Sequence, residues 1–362
     1  MAQVPVHELD VSVNICTYNR CGILSEALEG VLSQQIPDGR RYEVIVVDNN
    51  STDETRQVVE SFVARGYENL RYVFEGRQGL SYARNAAVSA ARSPILAFTD
   101  DDVRVKPDWV ATIKRMLDNH PEVDCVGGKV LPHWTFAPPS WLTSEHWAPL
   151  ALVDYGDQPF YVNAGNQLCL LTANMAIRKD ALERIGRFQP ALQRVQNRVG
   201  SMEDHELLVR LWRTDRQGLY TPELVVTAGV ASDRLSKTYH RRWHMGHGYF
   251  YALARLEEME RSQSGWLFDV PAHMYRRAAC DALGWLGSLA RGSLTRAFAY
   301  EVGLWFFAGF FSRRYQDFME GGHRSHIREL GRFARSFTGR RQRDPSAPPT
   351  RFSAAQFPPP KR

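Results

Sequence analysis

Three carboxylates stand in a row at Asp100, Asp101 and Asp102, shortly after the apolar run Pro94–Phe98. Adjacent carboxylates repel one another, and a cation relieves that cost. Hard oxygen ligands in small number suit Mg²⁺ or Mn²⁺, ions that also hold substrate phosphates. A solvated acidic loop or a helix cap explains the triplet as well, so alone it leaves both readings open. Asp48 closes a second apolar run, Tyr42–Val47. There its carboxylate can accept a hydrogen bond from a nucleobase or a ribose, or it can serve as an Asx-turn residue before the next helix. Asp53, directly ahead of that helix, fits the capping role better. Glu203 and Asp204 open the segment EDHELLVRLW, whose Leu207, Leu208 and Leu211 mark a buried helical stripe. At a helix start the dipole favours ionised carboxylates, the state a general base needs. Plain capping accounts for the same two residues. Arg84, one turn into GLSYARNAA, is either a partner for a diphosphate or an ordinary surface arginine.

The elements that must carry these residues alternate. Val11–Cys16 is short, β-branched and apolar and reads as a strand. Tyr42–Val47 is a near-continuous β-branched run, which predicts a strand buried on both faces; Leu70–Phe74 and Pro94–Phe98 read as a third and a fourth strand. Helical spacing predicts helices over Ile23–Leu32, Glu54–Ala64 and Leu80–Ala91 between them. Such alternation predicts an α/β fold with a doubly wound, mostly parallel sheet. Ligands of these sheets bind beyond the carboxyl ends of the strands. There lie the clusters TYNR (Thr17, Tyr18, Asn19, Arg20), DNNSTD (from Asp48, with Asn50) and TDDD (Asp100–Asp102). Further on, Trp134–Trp147 reads as a long loop, and Asn174–Ile185 and Glu203–Trp212 as helices. From Leu235 to about residue 335 the pattern is helical, with interleaved aromatics and arginines. The Pro-, Ser- and Arg-rich stretch 336–362 is expected to be disordered.

Charge is divided unevenly. Residues 236–362 carry 21 Lys+Arg against 10 Asp+Glu, whereas residues 1–235 carry 24 against 30. A basic back half favours anionic surfaces; no nucleic-acid-binding motif accompanies it, so lipid headgroups are the expected partner and nucleic acid is not. The five cysteines include no C-x-x-C pair, which indicates neither a disulfide framework nor a zinc site and suits a reducing cytoplasm. No signal peptide or membrane-spanning run is expected. The expected setting is cytoplasmic, peripheral at the inner face of the plasma membrane.

Taken in order, VSVNICTYNR, YEVIVVDNNSTDET, GLSYARNAA, ILAFTDDDVRVKPDWV, LTANMAIRKDALERIGRF and EDHELLVRL resemble the family-2 glycosyltransferases, whose nucleotide-binding domain has the GT-A fold. The resemblance runs from about residue 11 to about residue 212. It implies a GT-A domain over residues 1–235, followed by a helical region over 236–335 and the tail 336–362. It also implies roles. Thr17, Tyr18, Asn19, Arg20, Asp48, Asn50, Arg84, Asp100 and Asp101 would bind the nucleotide, with Asp48 on the base and Arg84 on the diphosphate. Asp100 and Asp102 would form the Asp-x-Asp element that holds Mn²⁺ or Mg²⁺. Asp204, with Glu203 beside it, would be the base that deprotonates the acceptor in a single inverting displacement. The donor would be a nucleotide sugar, UDP-linked by preference, and the acceptor a glycan or a lipid-linked precursor in cell-envelope or other polysaccharide synthesis.

The sequence departs from the family pattern in places. Many members carry a metal-ligating His shortly before an R-L-[ST]-K-x-Y-like segment; that segment is Arg234–Tyr239 here, but Thr227–Asp233 holds no His. His240, His244 and His247 lie close by, with packing as their ordinary role. Tyr239 stands where processive members have the Gln of Gln-x-x-Arg-Trp, which argues for transfer of one sugar at a time. Trp134, Trp141, Asn174 and Arg178 are the acceptor-side candidates. The aromatics Trp285, Trp305, Phe306, Phe307, Phe310 and Phe311 either face a membrane, with Arg313 and Arg314 at headgroup level, or pack onto the catalytic domain. Two competing functions are a non-catalytic relative that only holds a nucleotide or glycan, and a sugar nucleotidyltransferase. The latter needs a Gly-rich loop after the first strand, where CTYNRCG has a single glycine.

Overall fold

Seven elements build the front of the sheet: β1 (Val11–Thr17), α1 (Cys21–Leu32), β2 (Tyr42–Asp48), α2 (Thr55–Ala64), β3 (Leu70–Phe74), α3 (Leu80–Ala90) and β4 (Ile95–Asp100). This computed structural model describes residues 9–37, 41–193, 200, 202–256 and 265–321. The tail 336–362 lies outside the described residues. Strands β3, β2, β1 and β4 are neighbours in that order and all parallel. Parallel strands need both faces covered, so side chains that alternate between faces run nearly all apolar. In β2, Val44 and Val46 enter one hydrophobic cluster while Ile45 and Val47 enter the other. The first cluster takes Leu24 and Leu28 of α1 and Phe62 of α2; the second takes Ala83 and Ala87 of α3.

The sheet continues through β5 (Val103–Val105), α4 (Trp109–Asn119), β6 (Val123–His133), β7 (Phe160–Val162), β8 (Met175–Arg178), α5 (Lys179–Ile185), α6 (Glu203–Trp212) and β9 (Gln217–Gly229). Its full order is β3-β2-β1-β4-β8-β6-β9-β5, with β7 also paired to β9. Strand β8 runs antiparallel to both β4 and β6, so this half of the sheet is mixed. The segment 174–185, expected to be one helix, is divided between β8 and α5. Its apolar stretch Met175–Ile177 fills the slot between β4 and β6, and a run that short has no period that separates strand from helix. The Trp-rich stretch 134–147 is irregular apart from a single turn at Ser144–His146.

Helices α7 (Lys237–Ala254), α8 (Ala272–Ala290) and α9 (Leu294–Met319), with a small hairpin of β10 (Trp266–Leu267) and β11 (Val270–Pro271), complete the described chain. Phe250 and Tyr251 of α7, Met274 of α8 and Phe307 and Phe310 of α9 join Leu207, Leu208 and Leu211 of α6 in the second cluster. The α9 aromatics Phe307 and Phe310, considered above for a membrane face, are therefore core residues. Helices α7 and α9 approach closely because Gly248 faces the Phe306 carbonyl and Gly309 the Met245 carbonyl, where a Cβ would clash with backbone. No helix among the described residues is long and apolar enough to cross a membrane.

Candidate active site

Register sets the first line of the site. Thr17 pairs with Asp48 and Cys16 with Asp100, so the carboxyl ends of β2, β1 and β4 finish side by side. Beyond them the chain turns sharply. Asn19 and Asn50 both adopt left-handed backbone (φ 51° and 64°), a conformation Asn tolerates better than most residues. The two loops are tied together: the Asn19 amide donates to Ser51 Oγ at 2.9 Å, and Asn19 Oδ1 accepts the Thr52 amide at 2.7 Å. Asp48 makes the Asx turn, accepting the Ser51 amide at 2.8 Å, while its other oxygen accepts the Tyr72 hydroxyl at 2.7 Å. Asp53 tethers helices α1 and α2 instead, through the Cys21 amide at 2.9 Å and the Thr55 amide at 3.1 Å. Tyr18 is exposed at the mouth. Asn49, which had no assigned role, links this loop to α3 by accepting the Gly79 amide at 2.8 Å.

The three aspartates do different things. Asp101 is buried, held by Thr17 Oγ1 at 2.8 Å and by Arg20 at 2.8 Å. Arg20 also reaches Asp102 at 3.1 Å. Asp100 has neither contact. Burial first, then the charge of Asp102, push its carboxyl up to about 7. Arg84 opposes that shift, and Asp204 adds to it, which places α6 and the end of β4 within electrostatic reach of one another.

The second part of the site is a network at the start of α6. Arg84, almost wholly buried, donates to Asp204 at 2.8 Å, to Glu203 at 3.3 Å and to the Thr172 hydroxyl. Thr172 in turn gives its hydroxyl to the other Asp204 oxygen at 2.9 Å and its amide at 3.2 Å. The Asp204 side chain is 18% exposed whereas that of Glu203 is 3% exposed, so Asp204 is the carboxylate that meets solvent. Arg84, expected on a diphosphate, is thus engaged with the two carboxylates in this structure. Thr172 was missed: nothing in LTANM marks a threonine whose partner lies 32 residues further on.

A divalent cation fits the Asp100–Asp102 pair by its chemistry, because two close carboxylates, one of them strongly destabilised as an anion, are what a hard cation relieves. Among the described residues no three His, Cys, Asp or Glu side chains converge as a complete cage. His240 and His244 do not contribute. They are buried in α7, with Trp141 edge-on to His240 at 5.0 Å, and burial lowers both pKa values, that of His240 to about 4. His247 stacks on Trp243.

This electrostatic arrangement makes a testable statement about pH. A carboxyl whose folded pKa lies above its unfolded value binds more protons in the native state between those two values. Asp100 therefore makes cation-free protein less stable as pH rises from about 4 to about 7. Mn²⁺ is expected to raise the melting temperature at about pH 8 and to have little effect at about pH 5, with the difference abolished in Asp100→Asn. Scanning fluorimetry checks this, and equal Mn²⁺ shifts at both pH values would contradict it.

The acceptor-side candidates separate. Trp134 follows β6, whose last residue pairs with Gly229, and the Gly229 amide donates to the Asp102 carbonyl at 2.9 Å, so Trp134 is at the site's end of the sheet. Trp141 is instead packed edge-on against His146, His240 and Phe298, joining the loop to α7 and α9. Asn174 is buried, accepting from Trp109 Nε1 at 2.7 Å and donating to the Lys129 and Leu224 carbonyls. Arg178 pairs with Ile95, at the end of β4 remote from Asp100, and caps the Val123 and Leu117 carbonyls. In this structure these three side chains are engaged with buried partners.

Comparison with known proteins decides the family. The Glycosyl transferase family 2 profile matches residues 12–186, the stretch that supplies Thr17, Asp48, Arg84, Asp100, Asp101, Asp102 and Thr172. Residues 12–186 are thus a glycosyl transferase family 2 domain. Two relatives from Haloferax volcanii are the glucosyl-dolichyl phosphate glucuronosyltransferase, 27% identical over 59% of this chain and 67% of its own, and the glycosyltransferase AglE, 32% identical over 49% and 55%. The chain thus spans about two thirds of the first and about half of the second. A solved mannosyltransferase, PcManGT from Pyrobaculum calidifontis in complex with GDP-Man and Mn²⁺, superposes with a TM-score of 0.56 over 87% of this chain and 89% of its own, at 19% identity. That likeness establishes the shared GT-A fold.

Proposed function

We propose that this family-2 glycosyltransferase moves one sugar at a time from a nucleoside diphosphate donor, UDP-linked, to an acceptor hydroxyl with inversion. The observation that carries this reading is the position of Asp204. It is the solvent-facing member of a buried network, fixed on one oxygen by Arg84 and on the other by Thr172, within electrostatic reach of Asp100. A carboxylate so held is aimed, as a base must be when the acceptor oxygen attacks the anomeric carbon. Asp48 and the Thr17–Arg20 loop hold the nucleoside, and Tyr18 offers it an exposed aromatic face. Asp100 and Asp102 would hold Mn²⁺ or Mg²⁺, whose contribution when bound is to offset charge on the departing diphosphate. Arg84 acts as a positioning residue for Asp204.

A lipid-linked acceptor in envelope or other glycan synthesis suits the basic back half, and the relative named for glucosyl-dolichyl phosphate supports it. Such an acceptor places the enzyme at the inner face of the plasma membrane. The test is proton NMR of UDP-glucose, UDP-N-acetylglucosamine and GDP-mannose mixed with alkyl glycosides and Mn²⁺. A new glycosidic signal of configuration opposite to the donor's is expected. A product that retains the donor configuration would overturn the direct displacement by Asp204.

A further inference from the structure

The solvent side of α8 carries one charged residue and no amide, where an ordinary surface helix faces water with many of both. Its exposed arc holds Arg276, Ala279, Cys280, Leu283, Leu286 and Leu289, with Leu283 70% and Leu286 55% exposed. Across the short turn to α9, Leu294 is 67% exposed, and Arg291 and Arg296 are exposed beside it. The acidic residues of this helix pair point elsewhere. Asp281 lies against Gly303 of α9, and burial pushes its carboxyl up to about 6. Glu301 binds Arg241 of α7 at 2.6 Å. What remains outside is a leucine patch with a positive rim.

We infer that this face, the exposed side of α8 and its turn into α9, rests on an anionic phospholipid bilayer. The leucines reach the boundary between headgroups and acyl chains, and Arg276, Arg291 and Arg296 lie among the phosphates. Apolar residues on one helical face with arginines beside them is the composition of a helix lying in the membrane plane, and no described helix is suited to cross it. Residues 322–362 add 10 Lys+Arg against 2 Asp+Glu to the same end of the chain, which increases the attraction to an anionic surface. A second copy of the chain fits less well, since symmetric pairing of this patch would gather like charges from both copies. The surface differs from the aromatic one that composition suggested, because Phe307 and Phe310 are consumed by the core.

The test is co-sedimentation of the full chain with vesicles of phosphatidylcholine, with and without phosphatidylglycerol, at low and high salt. Wild type is expected to bind the phosphatidylglycerol vesicles and to leave them as salt rises. The double variant Leu283→Glu and Leu286→Glu should bind about tenfold more weakly with unchanged circular dichroism. Arg276→Glu with Arg291→Glu should remove the lipid preference. Wild type that stays in solution with every vesicle overturns the inference, as does undiminished binding by the leucine variant. A wild-type dimer that the leucine variant dissociates, without vesicle binding, assigns the patch to a second copy and overturns it too.

Discussion

Asp204→Asn is expected to lower kcat about a thousandfold, within the range set by loss of a general base, while nucleoside diphosphate affinity stays unchanged within about twofold. Asn keeps the shape of Asp and can still accept from the Thr172 hydroxyl that now holds the carboxylate at 2.9 Å. It cannot take a proton. Thr17, Asp48 and Asp101, proposed above to hold the nucleotide, have other partners, so binding should survive. Thr172→Val is the companion: it keeps the carboxylate and removes one donor to it, so kcat should fall less, with the pH profile displaced. Steady-state kinetics alongside calorimetric nucleotide binding reads both. Turnover retained in Asp204→Asn would move the base to another residue; turnover and binding lost together would show that the substitution disturbed the site as a whole.

The second large effect belongs to Arg84, where sequence and structure point to different roles. Arg84→Met removes the guanidinium that pairs with both Glu203 and Asp204 in a setting with little solvent. Breaking a buried ion pair from one side costs about 3–5 kcal/mol, mostly because the remaining charges stay buried. The expected result in urea denaturation is a loss of that order, accompanied by loss of turnover. Arg84→Lys should recover part of the stability but little activity, since an ammonium cannot bridge Asp204 and Thr172 as the guanidinium fork does. Wild-type stability with only a raised KM for the donor would return Arg84 to the diphosphate.

The partners of Arg84 show what the sequence could and could not carry. Strands β1 to β4 and helices α1 to α3 were legible within a few residues because β-branched apolar runs and helical spacing alternate there without interruption. The clusters at their carboxyl ends were legible for the same reason, since a parallel sheet dictates where its strands finish. Strand β8 was not, because Met175–Ile177 is a strand only by virtue of the gap between β4 and β6. Side-chain commitments across long sequence separations were not legible either. Arg84 meets Asp204 120 positions away, and Trp141 meets Phe298 through a helix pair whose close approach depends on Gly248 and Gly309. Residue type at Arg178 or Asn174 suggests a binding group equally with a structural one; only the partners decide.

The most direct measurement is calorimetric titration of UDP, GDP, TDP and CDP, each with and without Mn²⁺, into wild type, Asp102→Ala and Asp48→Ala. One nucleotide, UDP, is expected to bind wild type in a Mn²⁺-dependent manner. Asp102→Ala should lose the Mn²⁺ dependence, and Asp48→Ala should lose the preference for one base. Folded wild-type protein that binds none of the four would contradict the assignment of Asp48, Asp100 and Asp102 as a nucleotide-sugar site.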